Sequence, residues 1–140
     1  MKILLPVDGS EFTKKILDYI VAHPSIFSAE QEYMLLTIVP PLLPQAAGLL
    51  GRAAVDEYYK ETSKEALDKA FAFLKEKGFN VSQGYKVGYV SEALPEEADG
   101  GGYDLAVMGT HGQGAWGNLM LGSVANAMLS RSKVPVLLIR

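Results

Sequence analysis

Four short apolar runs in the chain lack the two-residue alternation of a strand that has one face in water. Strands of a parallel sheet that is covered by helices on both faces have this continuous apolar character. The pattern predicts buried strands at residues 3–7, 33–39, 105–108 and 134–139. Residues 81–87 alternate apolar and polar side chains, and this alternation predicts an edge strand.

Helical patterns separate these strands. The helices are expected from Ser10, as N-cap, to Pro24 and over residues 54–77, 91–98 and 123–130. The tyrosines and phenylalanines of the long second helix fall on one stripe, which predicts core packing. Pro95 lies inside the third helix, where it removes one main-chain donor. Strand and helix alternate along the chain, and this order predicts an α/β fold with a doubly wound open sheet.

Composition narrows the class of protein. The chain has 140 residues, of which 49% are hydrophobic and 21% charged, and these values suit one globular domain. A net charge of −3 gives no basic face for nucleic acid, so we expect no such partner. The absence of cysteine excludes disulfides and thiolate chemistry. No apolar run suits a signal peptide or a membrane helix, so we expect a cytoplasmic protein without a membrane partner.

The most unusual segment follows the strand at residues 105–108. Glycines recur between Gly109 and Gly122, and Ser123 then begins the fourth predicted helix. Glycine lets main-chain N–H groups approach an anion closely, and a helix N-terminus adds unpaired N–H groups and a positive dipole end. Ligands of doubly wound sheets bind at the carboxyl ends of the strands. The position therefore favours a phosphate-binding loop over a flexible glycine loop with Ser123 as a simple N-cap.

This loop differs from two well-known nucleotide-binding loops. It lacks the Gly-Lys-Ser/Thr of a Walker loop, and the first strand is followed by Asp8-Gly9-Ser10 rather than by a dinucleotide-binding glycine fingerprint. Asp8 lies at the same edge of the sheet as the glycine loop. Its carboxylate can bind ribose hydroxyls, hold Mg²⁺ against phosphates, or form an Asx turn with Ser10. The residues alone leave these roles open.

Three motifs of the chain together resemble the universal stress protein family. They are Pro6-Val7-Asp8-Gly9-Ser10, Gly109-x2-Gly112-x9-Gly122-Ser123 and the closing Pro135-Val136-Leu137-Leu138-Ile139. The resemblance covers essentially the whole chain, and the glycine spacing is similar to that of the branch that binds ATP. It implies one nucleotide-binding domain over residues 1–140, with five parallel strands in the order 3-2-1-4-5 and helices on both faces.

The resemblance also implies a set of binding residues. Pro6, Val7 and Asp8 line the nucleoside, with Asp8 toward the ribose, and the main chain of Ile38 meets the adenine. The two halves of the phosphate loop are Met108, Gly109 and Gly112, and then Gly122, Ser123 and Val124. The implied cofactor is ATP, which Mg²⁺ can accompany. No residue is assigned as a metal ligand or as a catalytic group.

Two segments raise the question of protein partners. Residues 40–51 are apolar, interrupted by proline and uncharged, and they leave the second strand at the expected adenine end of the site. Such a segment favours a lid or a protein-docking surface over a plain loop. The last strand is apolar on both faces and lies at a sheet edge. Pairing of Val136–Ile139 with a second copy would satisfy that edge, and the resemblance implies the same homodimer.

Three functions remain open at this point. A phosphate loop without a catalytic lysine or arginine favours an ATP-binding stress-response or regulatory module. The alternative is a slow ATPase or nucleotidyl-transfer enzyme in which Asp8 holds Mg²⁺ and His111 assists. The pattern favours a solvent-facing position for His111, because no carboxylate partner is evident nearby. The third function is a partner-docking dimer with a vestigial site.

Overall fold

Five parallel strands form one sheet in the order β3-β2-β1-β4-β5, and the strand order implied by the resemblance is confirmed. The structure, a computed structural model, describes residues 1–111 and 120–140, so Gly112 lies outside the described residues. The strands are β1 (Lys2–Pro6), β2 (Glu32–Val39), β3 (Asn80–Val87), β4 (Leu105–Gly109) and β5 (Val136–Ile139). β5 begins two residues later than expected, because its ladder with β4 starts at Val136 and Pro135 has no N–H to donate.

Helices cover both faces of this sheet. They are α1 (Glu11–Ala22), α2 (Pro44–Leu50), α3 (Arg52–Glu76), α4 (Val90–Gly100) and α5 (Ser123–Arg131). Successive residues of β1 point to opposite faces, so Ile3 and Leu5 pack with α1 and α3, while Leu4 packs with α4 and α5. Among the helices of residues 1–111 and 120–140, none has the length and apolar character that a membrane crossing requires.

The apolar segment at residues 40–51 contains a helix that the sequence analysis did not predict. Pro44 occupies the first turn of α2, where its missing N–H costs nothing, and Gly51 ends the helix with a φ of 81°. No residue of α2 is buried, and Leu49 is 90% exposed. The segment is therefore a short helix on the protein surface rather than an irregular loop.

The predicted buried stripe of aromatic residues on α3, the long second helix of the sequence analysis, is wrong in the N-terminal half of that helix. Tyr58 is 43% exposed, and the buried positions of α3 are Ser63, Leu67, Ala70 and Leu74. The 25 residues of α3 extend over about 37 Å, whereas an eight-residue strand spans about 26 Å. The first turns of the helix therefore lie beyond the sheet and meet no core.

The proline in α4 is accommodated by a contact from α5. Pro95 has no N–H to donate to the carbonyl of Ser91 one turn earlier. The guanidinium of Arg131 donates to that carbonyl at 3.3 Å. Asp99 ties the same two helices together, because its carboxylate accepts hydrogen bonds from the Ser132 hydroxyl at 2.6 Å and the Lys133 N–H at 2.9 Å. These hydrogen bonds lower the pKa of Asp99.

Candidate functional site

A cleft of about 700 Å³ opens at the carboxyl ends of β1, β2 and β4. This volume lies within the range of small-molecule sites in proteins. Every predicted binding residue in the described part of the chain lines the cleft: Pro6, Val7, Asp8, Ile38, Met108, Gly109, Gly122, Ser123 and Val124. The remaining predicted residue, Gly112, lies outside the described residues. The order of the strands in the sheet thus brings three segments that are distant in sequence to one edge of the sheet.

The turn from β1 to α1 holds Asp8 by local hydrogen bonds. The Ser10 N–H donates to Asp8 Oδ1 at 2.9 Å, which forms the Asx turn that the sequence allowed. The Thr13 hydroxyl donates to the same oxygen at 3.0 Å, and the Asp8 N–H donates to the Thr13 hydroxyl at 3.3 Å. Ser10 occupies the N-cap position of α1 as predicted, but its hydroxyl makes no capping hydrogen bond. The α1 N-terminus and its dipole therefore lie beside the Asp8 carboxylate.

Gly9 lets this turn lie against α3. Its φ is +76°, a conformation that favours glycine, and a Cβ there would lie 3.2 Å from Ala66 Cα. Glu65 and Ala66 consequently line the cleft from α3. The sequence analysis did not identify these two residues or Thr13. Asp8 precedes α1, so the contact with Thr13 depends on how the turn enters the helix, and no local sequence pattern marks it.

The exit from β4 also depends on a close main-chain approach. A Cβ on Gly109 would lie 2.9 Å from the His111 carbonyl oxygen, so a larger residue would displace the turn. The Thr110 N–H donates to the Ile139 carbonyl at 3.0 Å, and the Gly122 N–H donates to the Thr110 carbonyl at 2.7 Å. Thr110 thereby ties the start of the glycine-rich segment to its end.

The N-terminus of α5 opens into the cleft. Gly122 is the N-cap, and Ser123 is the first helical residue rather than the cap that the sequence suggested. Because the N-cap is a glycine, it makes no side-chain capping hydrogen bond. The first N–H groups of a helix have no partner within it, and they carry the positive end of its dipole. This end of the cleft can therefore bind an anion.

The described residues that line the cleft include no lysine or arginine, and its carboxylates are Asp8 and Glu65. Residues 112–119 carry no charged side chain either. An anion here has no lysine or arginine to pair with, so main-chain N–H groups and the helix dipole are the features of the cleft that suit it. Within residues 1–111 and 120–140, no group of three or more His, Asp or Glu side chains could hold a metal ion.

His111 is placed differently from the sequence prediction of a solvent-facing side chain. The ring is half-buried and lies 6.3 Å from the ring of Phe12, centroid to centroid. Nδ1 shares a hydrogen bond with the Thr110 hydroxyl at 2.9 Å, whereas Nε2 is buried without a hydrogen-bond partner among the described residues. The histidine therefore packs into the wall of the cleft.

The segment at residues 40–51 contributes little to the cleft. Of this segment, only Pro40 is among the described lining residues. The Leu42 N–H donates to the Tyr59 hydroxyl at 2.9 Å, and α2 packs against α3 rather than over the site. Leu43 and Leu49 remain exposed. In this structure α2 does not cover the site.

Comparison with known proteins links this fold and cleft to one family. The model of the universal stress protein family matches residues 1–140. The chain is 28% identical to universal stress protein MJ0531 of Methanocaldococcus jannaschii over 142 residues, which cover 99% of this chain and 81% of that protein. The solved structure of MJ0577 from the same organism superposes with a TM-score of 0.76 at 27% identity, covering 99% of this chain and 94% of that one.

Three further solved structures are described as complexes with adenine nucleotides. A universal stress protein with cAMP superposes with a TM-score of 0.66 at 23% identity, covering 100% and 96% of the two chains. An Arabidopsis thaliana family protein with AMP gives 0.71 at 14%, covering 99% and 90%. An Archaeoglobus fulgidus protein with dAMP gives 0.65 at 18%, covering 100% and 98%. At these identities the similarity establishes a shared fold.

Proposed function

Because the chain belongs to the universal stress protein family, we propose that its cleft binds an adenine nucleotide, ATP in particular, as a regulatory ligand. One observation carries the proposal. Three segments far apart in the chain meet at one edge of the sheet, and they bring together a carboxylate, an apolar wall and an open helix N-terminus. Each of these suits a different part of a nucleotide.

The parts of the nucleotide are assigned by matching their chemistry to the lining of the cleft. The adenine lies against the apolar end of β2, where Leu36, Ile38 and Val39 line the cleft. The ribose lies beside Asp8, whose carboxylate accepts hydrogen bonds from the ribose hydroxyl groups. The phosphates lie between Gly109 and the N-terminus of α5, where glycine and the first helical N–H groups suit an anion. Structures of the same fold in complex with cAMP, AMP and dAMP support an adenine nucleotide as the ligand.

Mg²⁺ would accompany the triphosphate rather than occupy a metal site made of protein alone. Asp8 and Glu65 are the carboxylates of the described lining, and Mg²⁺ commonly binds through one or two carboxylates together with nucleotide phosphates. The donor set thus suits a magnesium–nucleotide complex. When bound, the ion would offset the charge of the β- and γ-phosphates.

A regulatory role suits the site better than fast catalysis. The described lining has no cationic side chain for a transferring phosphoryl group, and Nε2 of His111 is buried. We infer that ATP is hydrolysed slowly or not at all and that its presence biases a protein interaction. The whole of residues 1–140 acts as one cytoplasmic nucleotide-binding domain. A second copy pairs along β5, which is the sheet edge next to β4.

Titration calorimetry with ATP, ADP, AMP and GTP in the presence of Mg²⁺ tests the function. We expect binding of the three adenine nucleotides and weaker binding of GTP. Absence of measurable binding by any adenine nucleotide would refute the proposal. Turnover of ATP faster than about 1 s⁻¹, an ordinary enzymatic rate, would replace the regulatory role with an enzymatic one. Sedimentation of the protein as a monomer at micromolar concentration would contradict pairing along β5.

A further inference from the structure

Thr13 is a buried polar side chain in the wall of the cleft, and it belongs to none of the segments assigned to the nucleotide. Its residue is 6% exposed, and it lies in the first turn of α1. Buried hydroxyl groups require a hydrogen-bond partner, since an unmade hydrogen bond there is costly. The partner of this hydroxyl is Asp8, which precedes the helix. The buried Thr13 hydroxyl therefore makes its hydrogen bond to Asp8, the residue assigned to the ribose.

Thr13 and Asp8 exchange two hydrogen bonds. The Thr13 hydroxyl accepts the Asp8 N–H at 3.3 Å and donates its own proton to Asp8 Oδ1 at 3.0 Å. Oδ1 also accepts the Ser10 N–H at 2.9 Å. Two donors on one oxygen fix the rotamer of the carboxylate, and the bond to the Asp8 N–H fixes the main chain beneath it. Asp8 is consequently held in one orientation although its side chain is exposed.

We propose that Thr13 is a positioning residue that orients the Asp8 carboxylate toward a ribose hydroxyl of the bound nucleotide. This inference rests on the proposed nucleotide function. A carboxylate that is already oriented loses less conformational entropy when it accepts a hydrogen bond from the ribose hydroxyl, so the orientation improves affinity. The gain applies only to ligands that carry the hydroxyl. Thr13 therefore contributes to the discrimination between ribose and deoxyribose.

The experiment compares AMP with 2′-deoxyAMP and 3′-deoxyAMP by calorimetry. For the wild-type protein, one of the deoxy analogues should bind about tenfold more weakly than AMP, as expected for loss of one hydrogen bond to a charged group. Thr13→Val keeps the shape of the side chain and removes its hydroxyl. We expect this variant to lose about fivefold in AMP affinity and less than about twofold in affinity for that analogue. Thr13→Ser restores the hydroxyl and should restore the discrimination.

Two controls separate positioning from folding. Ser63→Ala removes another buried hydroxyl, outside the cleft, and should leave the AMP-to-deoxyAMP ratio unchanged. In an Asp8→Asn background, Thr13→Val should cause no further loss of discrimination. If Thr13→Val fails to fold, Thr13→Ala is compared with Thr13→Ser in the same way.

The results that would refute the positioning role of Thr13 differ from those that would refute nucleotide binding. Equal losses for AMP and the deoxy analogue in Thr13→Val, or no rescue by Thr13→Ser, would overturn the positioning role and leave the nucleotide function standing. A wild-type protein that binds AMP and both deoxy analogues equally would also overturn the inference alone. A wild-type protein that binds none of them would overturn the proposed function together with the inference.

Discussion

The two ends of the sheet are built in opposite ways. At the carboxyl ends of the strands, glycine-containing turns leave a cleft of about 700 Å³. At the amino ends, side chains tie the strands together. The Lys2 N–H donates to the Asp104 carboxylate at 2.7 Å, and its ammonium group donates to the Gly101 carbonyl at 2.8 Å. The same ammonium group lies 4.6 Å from the centroid of the Tyr103 ring.

Tyr33 strengthens the amino end further. The residue is 1% exposed, its hydroxyl donates to the Ser28 carbonyl at 2.8 Å, and its ring meets the edge of Phe79 at 5.2 Å between centroids. The same strands thus carry buried, hydrogen-bonded contacts at one end and an open cleft at the other, which we propose binds the nucleotide. Variants at the two ends should therefore change different measured quantities.

Gly109→Ala at the carboxyl end is expected to have the largest effect. The added Cβ would lie 2.9 Å from the His111 carbonyl and would move the turn that faces the phosphates. We expect ATP affinity in calorimetry to fall about thirtyfold, or about 2 kcal/mol. Gly100→Ala is the control, because a Cβ there meets nothing within 4 Å. Unchanged ATP affinity in Gly109→Ala would contradict a role of this turn in phosphate binding.

Gly101→Ala at the amino end should lower the stability of the fold and leave ATP affinity nearly unchanged. The added Cβ would clash with the Tyr103 ring and lie 2.9 Å from the Glu97 carbonyl oxygen. Overpacking of this kind lowers the free energy of unfolding by about 1–3 kcal/mol, which urea denaturation measures. ATP affinity should stay within about twofold of wild type, a difference of about 0.4 kcal/mol, because the clash lies at the end of the sheet away from the cleft. A large loss of ATP affinity here would show that the two ends are coupled.

Removal of Mg²⁺ should weaken ATP binding more than AMP binding. Asp8 and Glu65 lie in a lining without a described cation, so a bound triphosphate would need Mg²⁺ for charge balance. We expect chelation of Mg²⁺ to lower ATP affinity about tenfold and AMP affinity less than about twofold, because AMP carries less charge. Equal losses for both nucleotides would indicate that Mg²⁺ acts on the protein rather than on the phosphates.

Tyr33→Phe should produce a smaller, pH-dependent change at the amino end. Loss of the hydrogen bond to Ser28 should lower the free energy of unfolding by about 1 kcal/mol at pH 8. Burial raises the pKa of Tyr33 to about 12, above its value of 10.0 in an unfolded chain. The stability that the phenol contributes is therefore complete below pH 10 and is lost as the pH rises toward 12.

Urea denaturation at pH 8, 10 and 11 follows this difference. The gap in stability between wild type and Tyr33→Phe should be largest at pH 8, smaller at pH 10 and smaller again at pH 11. A gap that widens above pH 10 would contradict the burial of the phenol. ATP affinity at pH 8 should be the same for both proteins, as for the other amino-end variant.

The sheet could be predicted from the sequence because its buried strands are continuous apolar runs and its helices alternate with them. The sequence predictions are wrong where tertiary packing decides which part of a segment is helical or buried. The first turns of α3 carry an apolar stripe with Tyr58, yet they extend beyond the sheet, and nothing in the local pattern reports the length of the neighbouring strands. The helix α2 was missed because prolines and missing charges suggested a loop.

The candidate site was predictable in part for a similar reason. Asp8, Gly109 and Gly122 follow from motifs and from the rule that parallel strands place their carboxyl ends at one edge. Thr13 and Glu65 enter the cleft through packing of α1 and α3, which no local pattern specifies. The inward packing of His111 depends on Phe12 and Thr110 and was likewise outside the reach of sequence reasoning.

The central claim is that main-chain N–H groups at Gly109 and at the start of α5 hold the phosphates. Nitrogen–proton correlation spectra of the protein with adenosine, AMP and ATP test it most directly. We expect the amide signals of Gly109, Ser123 and Val124 to move with AMP and ATP and to stay in place with adenosine. Identical shifts with adenosine and AMP, or phosphate-dependent shifts confined to other parts of the chain, would contradict it.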